Sequence, residues 1–108
     1  MSLSKTIITK QPSEIKLVTM SFSNKMSGTE IITSIDSITQ GFADGRPSTD
    51  LTFSGQVISG QNAQFLIAGG IVPVRPDIQE IDYKITTRVT TDIGQKLEND
   101  GILRVKED

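Results

Sequence analysis

Thirteen carboxylates are the acid/base candidates of this 108-residue sequence, which has no histidine and no cysteine. Imidazole bases, thiolate nucleophiles, disulfides and the commonest zinc ligands are thereby excluded together. Two groups of carboxylates stand close enough in sequence to act jointly. Asp77, Glu80 and Asp82 cluster before a strand-like run, and oxygens gathered in this way could hold a hard cation such as calcium. Their spacing matches no calcium-loop signature, so solvated charges are the expected reading and cation binding stays an open question. Glu98 and Asp100 could form a catalytic pair in principle. Such work needs one carboxyl desolvated in a pocket, and nothing in the sequence suggests one, so the pair is set aside.

Other chemistries lack a part. Gly55, Gly60 and the Gly69-Gly70 pair are followed by strand-like or extended residues, whereas a phosphate cradle needs a helix N-terminus facing the anion. They read as turns. The serine and threonine hydroxyls have no base to activate them. Lys5, Lys10, Lys16 and Lys25 make the first quarter mildly basic, which reads as a solvated face. With 11 basic against 13 acidic residues, no broad positive field is available for nucleic acid or anionic lipid. Four Phe, one Tyr and no Trp make a stacking platform for bases or sugars improbable.

The elements that carry these residues read as strands. Ile, Val and Thr number 15, 6 and 12, and such β-branched side chains suit a pleated sheet better than a helix. The clearest strand is Ile81 to Thr91, where Ile81, Tyr83, Ile85, Thr87, Val89 and Thr91 alternate with Asp82, Lys84, Thr86, Arg88 and Thr90. A turn at Asp92-Ile93-Gly94 leads to a second arm with Leu97, Leu103 and Val105 on one side. Asn99-Asp100-Gly101 is expected to interrupt that arm with a bulge or short break.

Upstream, the segment from Thr29 to Thr39 places Ile31, Thr33 and Ile35 on one face, with Glu30, Ser34 and Asp36 opposite. A loop over Gly41–Asp50 follows. Leu51-Thr52-Phe53 and Val57-Ile58, then Ala63, Phe65 and Ile67, predict a hairpin turning at Ser59-Gly60-Gln61-Asn62. Near the start, Pro12 divides Thr6-Ile7-Ile8 from Glu14–Val18, as suits an edge strand that kinks or changes sheets. Ile71–Gln79, with two prolines, reads as a long projecting connection. The pattern predicts one all-β domain over residues 1–108. Its expected form is a two-layer antiparallel β-sandwich of about seven strands, immunoglobulin-like but without that fold's disulfide and tryptophan, with a small barrel as the alternative. No role is assigned to Met1-Ser2-Leu3. Neither a signal peptide nor a membrane-spanning run is expected.

Several segments in order resemble a known family: Lys10-Gln11-Pro12-Ser13-Glu14, Gly28-Thr29-Glu30-Ile31, Phe65-Leu66-Ile67-Ala68-Gly69-Gly70, Tyr83 to Thr91, and Gly94 to Val105. Their order and spacing resemble, over most of the chain, small structural proteins of tailed-phage and prophage virions, of the fiber-tail adaptor type with an immunoglobulin-like fold. The sequence departs from that pattern by lengthening the connection after the double glycine. The resemblance implies a non-enzymatic virion structural or assembly protein, made in the bacterial host cytoplasm and docking to neighbouring tail or head-tail subunits. Other virion proteins are the expected partners, with homo-oligomers a further option, and no cofactor, metal, nucleic acid or membrane is expected. Candidate contact residues are Pro12, Arg46, Pro47, Ile71, Val72, Pro73, Val74, Arg75 and Pro76. The alternative is an adhesion or ligand-binding sandwich for sugar or calcium; a hydrolase on the same scaffold would need a carboxylate with a raised pKa lining a pocket.

Overall fold

A computed structural model describes residues 7–71 and 80–106. Seven strands follow in order: β1 (Ile7–Lys10), β2 (Lys16–Ser21), β3 (Ile32–Phe42), β4 (Leu51–Ser59), β5 (Asn62–Gly69), β6 (Glu80–Thr91) and β7 (Lys96–Lys106), with one 3-10 turn at Ser23–Lys25. They form a four-stranded sheet in the order β1-β7-β6-β3 and a three-stranded sheet in the order β2-β5-β4. The two layers pack as a sandwich, and this strand order is consistent with an immunoglobulin-like topology. All pairings are antiparallel except β1 with β7, which run parallel from Ile7↔Ile102 to Lys10↔Val105. The segments on either side of Pro12 lie in different sheets, the sheet change expected from a residue unable to donate a ladder hydrogen bond.

Alternation builds the core. Along β6, Tyr83, Ile85, Thr87, Val89 and Thr91 are buried while Lys84 and Arg88 are exposed, and along β5 Ala63, Phe65 and Ile67 point inward. Val18, Met20 and Phe22 close the layer from β2 and its exit. The β4–β5 hairpin turns at Gly60 and Gln61, within the predicted segment. Phe53 and Phe65 meet edge to face at 5.8 Å between ring centres, a favoured geometry for buried rings.

Several expectations are corrected. Asn99-Asp100-Gly101 does not interrupt β7: the register with β6 runs unbroken from Glu80↔Lys106 to Thr90↔Lys96. Asn99 turns inward, and its Nδ2 donates to Ser21 O of the facing sheet at 2.8 Å, so a residue suited to turns serves as a cross-layer tie. At the entry to β3 the expected parity is inverted, with Glu30 buried and Ile31 48% exposed. The Glu30 carboxylate accepts from Ser27 N at 3.0 Å and from Gln95 Nε2 at 3.0 and 2.9 Å. The Thr91 hydroxyl, with these donors, holds it below the usual carboxylate range against the opposing effect of burial. Register shifts between Ile32 and Ser34 and between Ile35 and Ser37 then break the simple alternation of β3. This strand also continues to Phe42, two residues into the expected loop.

Lys10 is likewise buried rather than part of a solvated face. Its Nζ donates to Gln11 O at 2.6 Å and to Pro12 O at 3.3 Å, stitching the crossover between sheets. Burial lowers its pKa, with Glu14 acting in the opposite sense.

Candidate functional site

Pairing of β3 with β6, through Phe42↔Tyr83, brings the turn after β3 against the start of β6. Ala43 N donates to Asp82 O at 3.0 Å and fixes this approach. Between the two segments lies an open cleft of about 290 Å³ lined by Phe42, Ala43, Asp44, Arg46, Glu80, Ile81 and Asp82. Three sequence-level candidates, Arg46, Glu80 and Asp82, therefore share one end of the four-stranded sheet.

A chain of contacts organises this end. Arg46 lies over the Phe42 ring at 4.9 Å, close enough for a cation–π contact, and Asp44 Oδ2 takes a bond from its Nε at 2.8 Å. Phe42 stacks on Tyr83 at 5.2 Å between ring centres. The Tyr83 hydroxyl donates to Asp50 Oδ2 at 2.9 Å and accepts from Ile71 N at 3.2 Å. Burial, reinforced by Asp50, pushes the phenol pKa up to about 12, although the Ile71 N–H bond acts the other way. Tyr83 thus ties both long connections to β6.

The carboxylates singled out for chemistry are engaged across β6 and β7. Arg104 donates to Asp82 with Nε at 2.9 Å and Nη2 at 3.1 Å, and its Nε lies 3.5 Å from Glu80 Oε2. The side-by-side geometry is the planar fork that guanidinium presents to carboxylate. Arg88 Nε pairs with Glu98 at 2.7 Å; Thr86 Oγ1 donates to Asp100 at 2.7 Å, with Lys84 Nζ at 3.6 Å. Each bond joins directly opposed or diagonal cross-strand neighbours. A second shallow depression, of about 440 Å³, lies beside Asp36, Arg88, Lys96 and Glu98, but Glu98 is already paired there. Among the described residues no group of three or more potential metal ligands occurs; Asp77 lies outside them.

Four of the expected contact residues lie among the described ones. Pro12 is half-buried in the turn between β1 and β2, Arg46 and Pro47 are exposed beyond β3, and Ile71 is 58% exposed after β5. Val72, Pro73, Val74, Arg75 and Pro76 lie outside the described residues.

A different surface contrast was missed from sequence. Of the outward-facing residues, four of six on β6 and five of six on β7 are charged. No outward-facing residue of β2, β4 or β5 is charged: β4 and β5 carry no charge, and Lys16 of β2 has the parity of buried Val18 and Met20. The uncharged run beginning at Leu51 was available as a signal, but assigning it to a single face needed the strand order. No protein-family model matches the chain, and comparison with curated proteins finds no match.

Proposed function

We propose that this chain is a non-enzymatic assembly module, a β-sandwich that docks to neighbouring subunits in the particle of a tailed phage or prophage. The observation that carries the non-enzymatic part is the commitment of Glu80, Asp82, Glu98 and Asp100 to cross-strand partners on an open sheet face. General acid/base work calls for a desolvated carboxyl held near its substrate, and these groups instead neutralise adjacent cations. The uncharged outer face of the three-stranded sheet supports docking, since the centres of protein interfaces are depleted in charge. The choice of a virion as the setting rests on the ordered segments from Lys10 to Val105 that resemble phage structural proteins. The test is composition: mass spectrometry of particles purified from the host that carries the gene should detect the chain at a fixed ratio to the tail or capsid subunits. Absence from those particles, with the chain present in the host lysate, overturns the virion reading.

A further inference from the structure

We infer that the open edge of β4 is an acceptor for an extended strand of another protein, which joins the three-stranded sheet beyond β4 through main-chain hydrogen bonds. The inference needs no virion setting. β4 has β5 on one side, and among the described residues no strand lies on the other. A free edge presents a row of unpaired N–H and C=O groups, and proteins ordinarily guard it with charge, proline, bulges or brevity. The other three edges are guarded in this way. β1 has four residues and ends at Lys10, two before Pro12; β2 has six and begins with Lys16; β3 carries Asp36 and two register shifts. β4 runs nine residues, Leu51–Ser59, with neither charge nor proline.

Gln40 shows what this edge binds. Its Oε1 accepts from Leu51 N at 2.9 Å and its Nε2 donates to Leu51 O at 2.8 Å, so a carboxamide, the side-chain counterpart of a peptide group, already occupies the first position. Both groups of Leu51 thus turn away from β5, and those of Phe53, two residues on, face the same way. Among the described residues no backbone group outside β5 bonds to the main chain of residues 52–59. Side chains add a second requirement. Phe53 and Ile58 pair with buried Ile67 and Ala63 and so face the interior, yet Phe53 is only half-buried and Ile58 is 37% exposed. An added strand with apolar residues at alternate positions covers that row. At the far end Ile32 N donates to Gly60 O at 3.0 Å, so β3 stands beside both ends of β4. The slot between these ties, residues 52–58, is about 23 Å long at about 3.3 Å per residue. It takes a single strand, whereas the β4 of a second copy would bring its own β3 into the same space. The bulge between Ser54 and Val57, with Gly55 at φ +62°, divides the slot, so the incoming strand pairs in two short runs.

The probe is the capped heptapeptide acetyl-Thr-Val-Thr-Val-Thr-Val-Thr-amide, titrated into the nitrogen-15-labelled whole chain and followed by NMR. Shift changes should concentrate on β4, amide hydrogen exchange at Phe53 should slow, and Kd should be about 0.1–1 mM, because a short peptide must be ordered as it binds. Two N-methylated versions, one modified on the valine amides and one on the threonine amides, keep the side chains but lose the donors of one edge. One of the two should bind at least about tenfold more weakly than the other, having lost the bonds to β4. The inference is overturned by a peptide that leaves β4 unshifted at millimolar concentration, that maps instead to the edge of β1, β2 or β3, or that binds equally well in both methylated forms. Protection of the β4 amides that rises with protein concentration in the absence of peptide also overturns it, since the occupant is then a second copy. Presence of the chain in purified particles is decided separately, so failure here leaves the proposed function standing.

Discussion

Replacing Thr87 with valine should stabilise the protein, although it removes a polar group from a buried site. Thr87 lies at the centre of β6, fully buried, with Ile38 as its cross-strand partner on one side and Asn99 on the other. Among the described residues its Oγ1 has no hydrogen-bond partner. A buried hydroxyl left in that condition costs about 1–3 kcal/mol relative to a hydrated one. Valine has nearly the same shape and the same β-branching, so Thr87→Val removes the penalty without opening a cavity or disturbing the strand. With an unfolding entropy of about 2.1 cal/mol/K per residue, a 108-residue chain loses about 0.23 kcal/mol of stability per degree near its midpoint. The expected gain is therefore a rise in melting temperature of about 4–13 °C. Urea unfolding followed by circular dichroism should show a higher midpoint with an unchanged slope, because the surface exposed on unfolding is the same. Thr87→Ser is the control: it keeps the hydroxyl, deletes a buried methyl and should be less stable by about 1 kcal/mol. A valine variant no more stable than the wild type would show that the hydroxyl is satisfied in solution and refute the reasoning.

Other perturbations follow from the same geometry. As the only tyrosine in a chain without tryptophan, Tyr83 can be titrated by absorbance, and its midpoint should lie near 12; a midpoint near 10 would mean that the ring is not buried as described. Because the folded phenol holds its proton more tightly than the unfolded one, its contribution is fully present below pH 10 and is lost as pH rises toward 12. Tyr83→Phe removes the bonds to Asp50 and Ile71 and should cost about 1.5–3 kcal/mol in urea unfolding. Gly69→Ala should destabilise by about 2–5 kcal/mol, since φ is +87° and an added Cβ would stand 2.5 Å from Asp50 O, while Gly28→Ala, with open space, should stay within about 0.5 kcal/mol. Glu30, with its lowered pKa, stabilises the fold above its unfolded value of 4.5 and loses that effect as pH falls through the lower folded value. Glu30→Gln should flatten the acid limb of a stability–pH profile, and an unchanged limb would remove Glu30 from the account of acid unfolding.

Much of the architecture was legible because period-2 alternation is a direct imprint of a half-buried strand. β6 and β5 could be read residue by residue and the β4–β5 turn located, though not the register shift between Ser54 and Val57 in β4, and Pro12 marked the sheet change because it lacks a donor. The failures share a cause. Where a polar side chain finds a specific buried partner, local patterning gives the wrong sign: Glu30 enters the interior because Ser27, Thr91 and Gln95 converge on it from three segments. Asn99 likewise stays within a regular strand because Ser21 waits on the facing sheet. The Gln40 amide bonds both N and O of Leu51 as a neighbouring strand would, a tie on which the sequence reading made no prediction. The cleft beside Arg46, Glu80 and Asp82 depends on the β3–β6 register, and the neutral face on which strands join β5. Both are properties of long-range pairing, which composition and spacing do not encode.

The parallel ladder between β1 and β7 bears on how the molecule is made. Ile7 lies on the first strand in chain order and Ile102 on the last, yet they are neighbours in the finished sheet. Strand β1 must therefore wait without its ladder partner until β7 has been made, and this edge of the sheet closes late. Such far-separated contacts slow folding through the entropy of bringing distant segments together. In the interval a short, apolar Ile7-Ile8 segment is open to chaperones, and to other nascent chains on the same message.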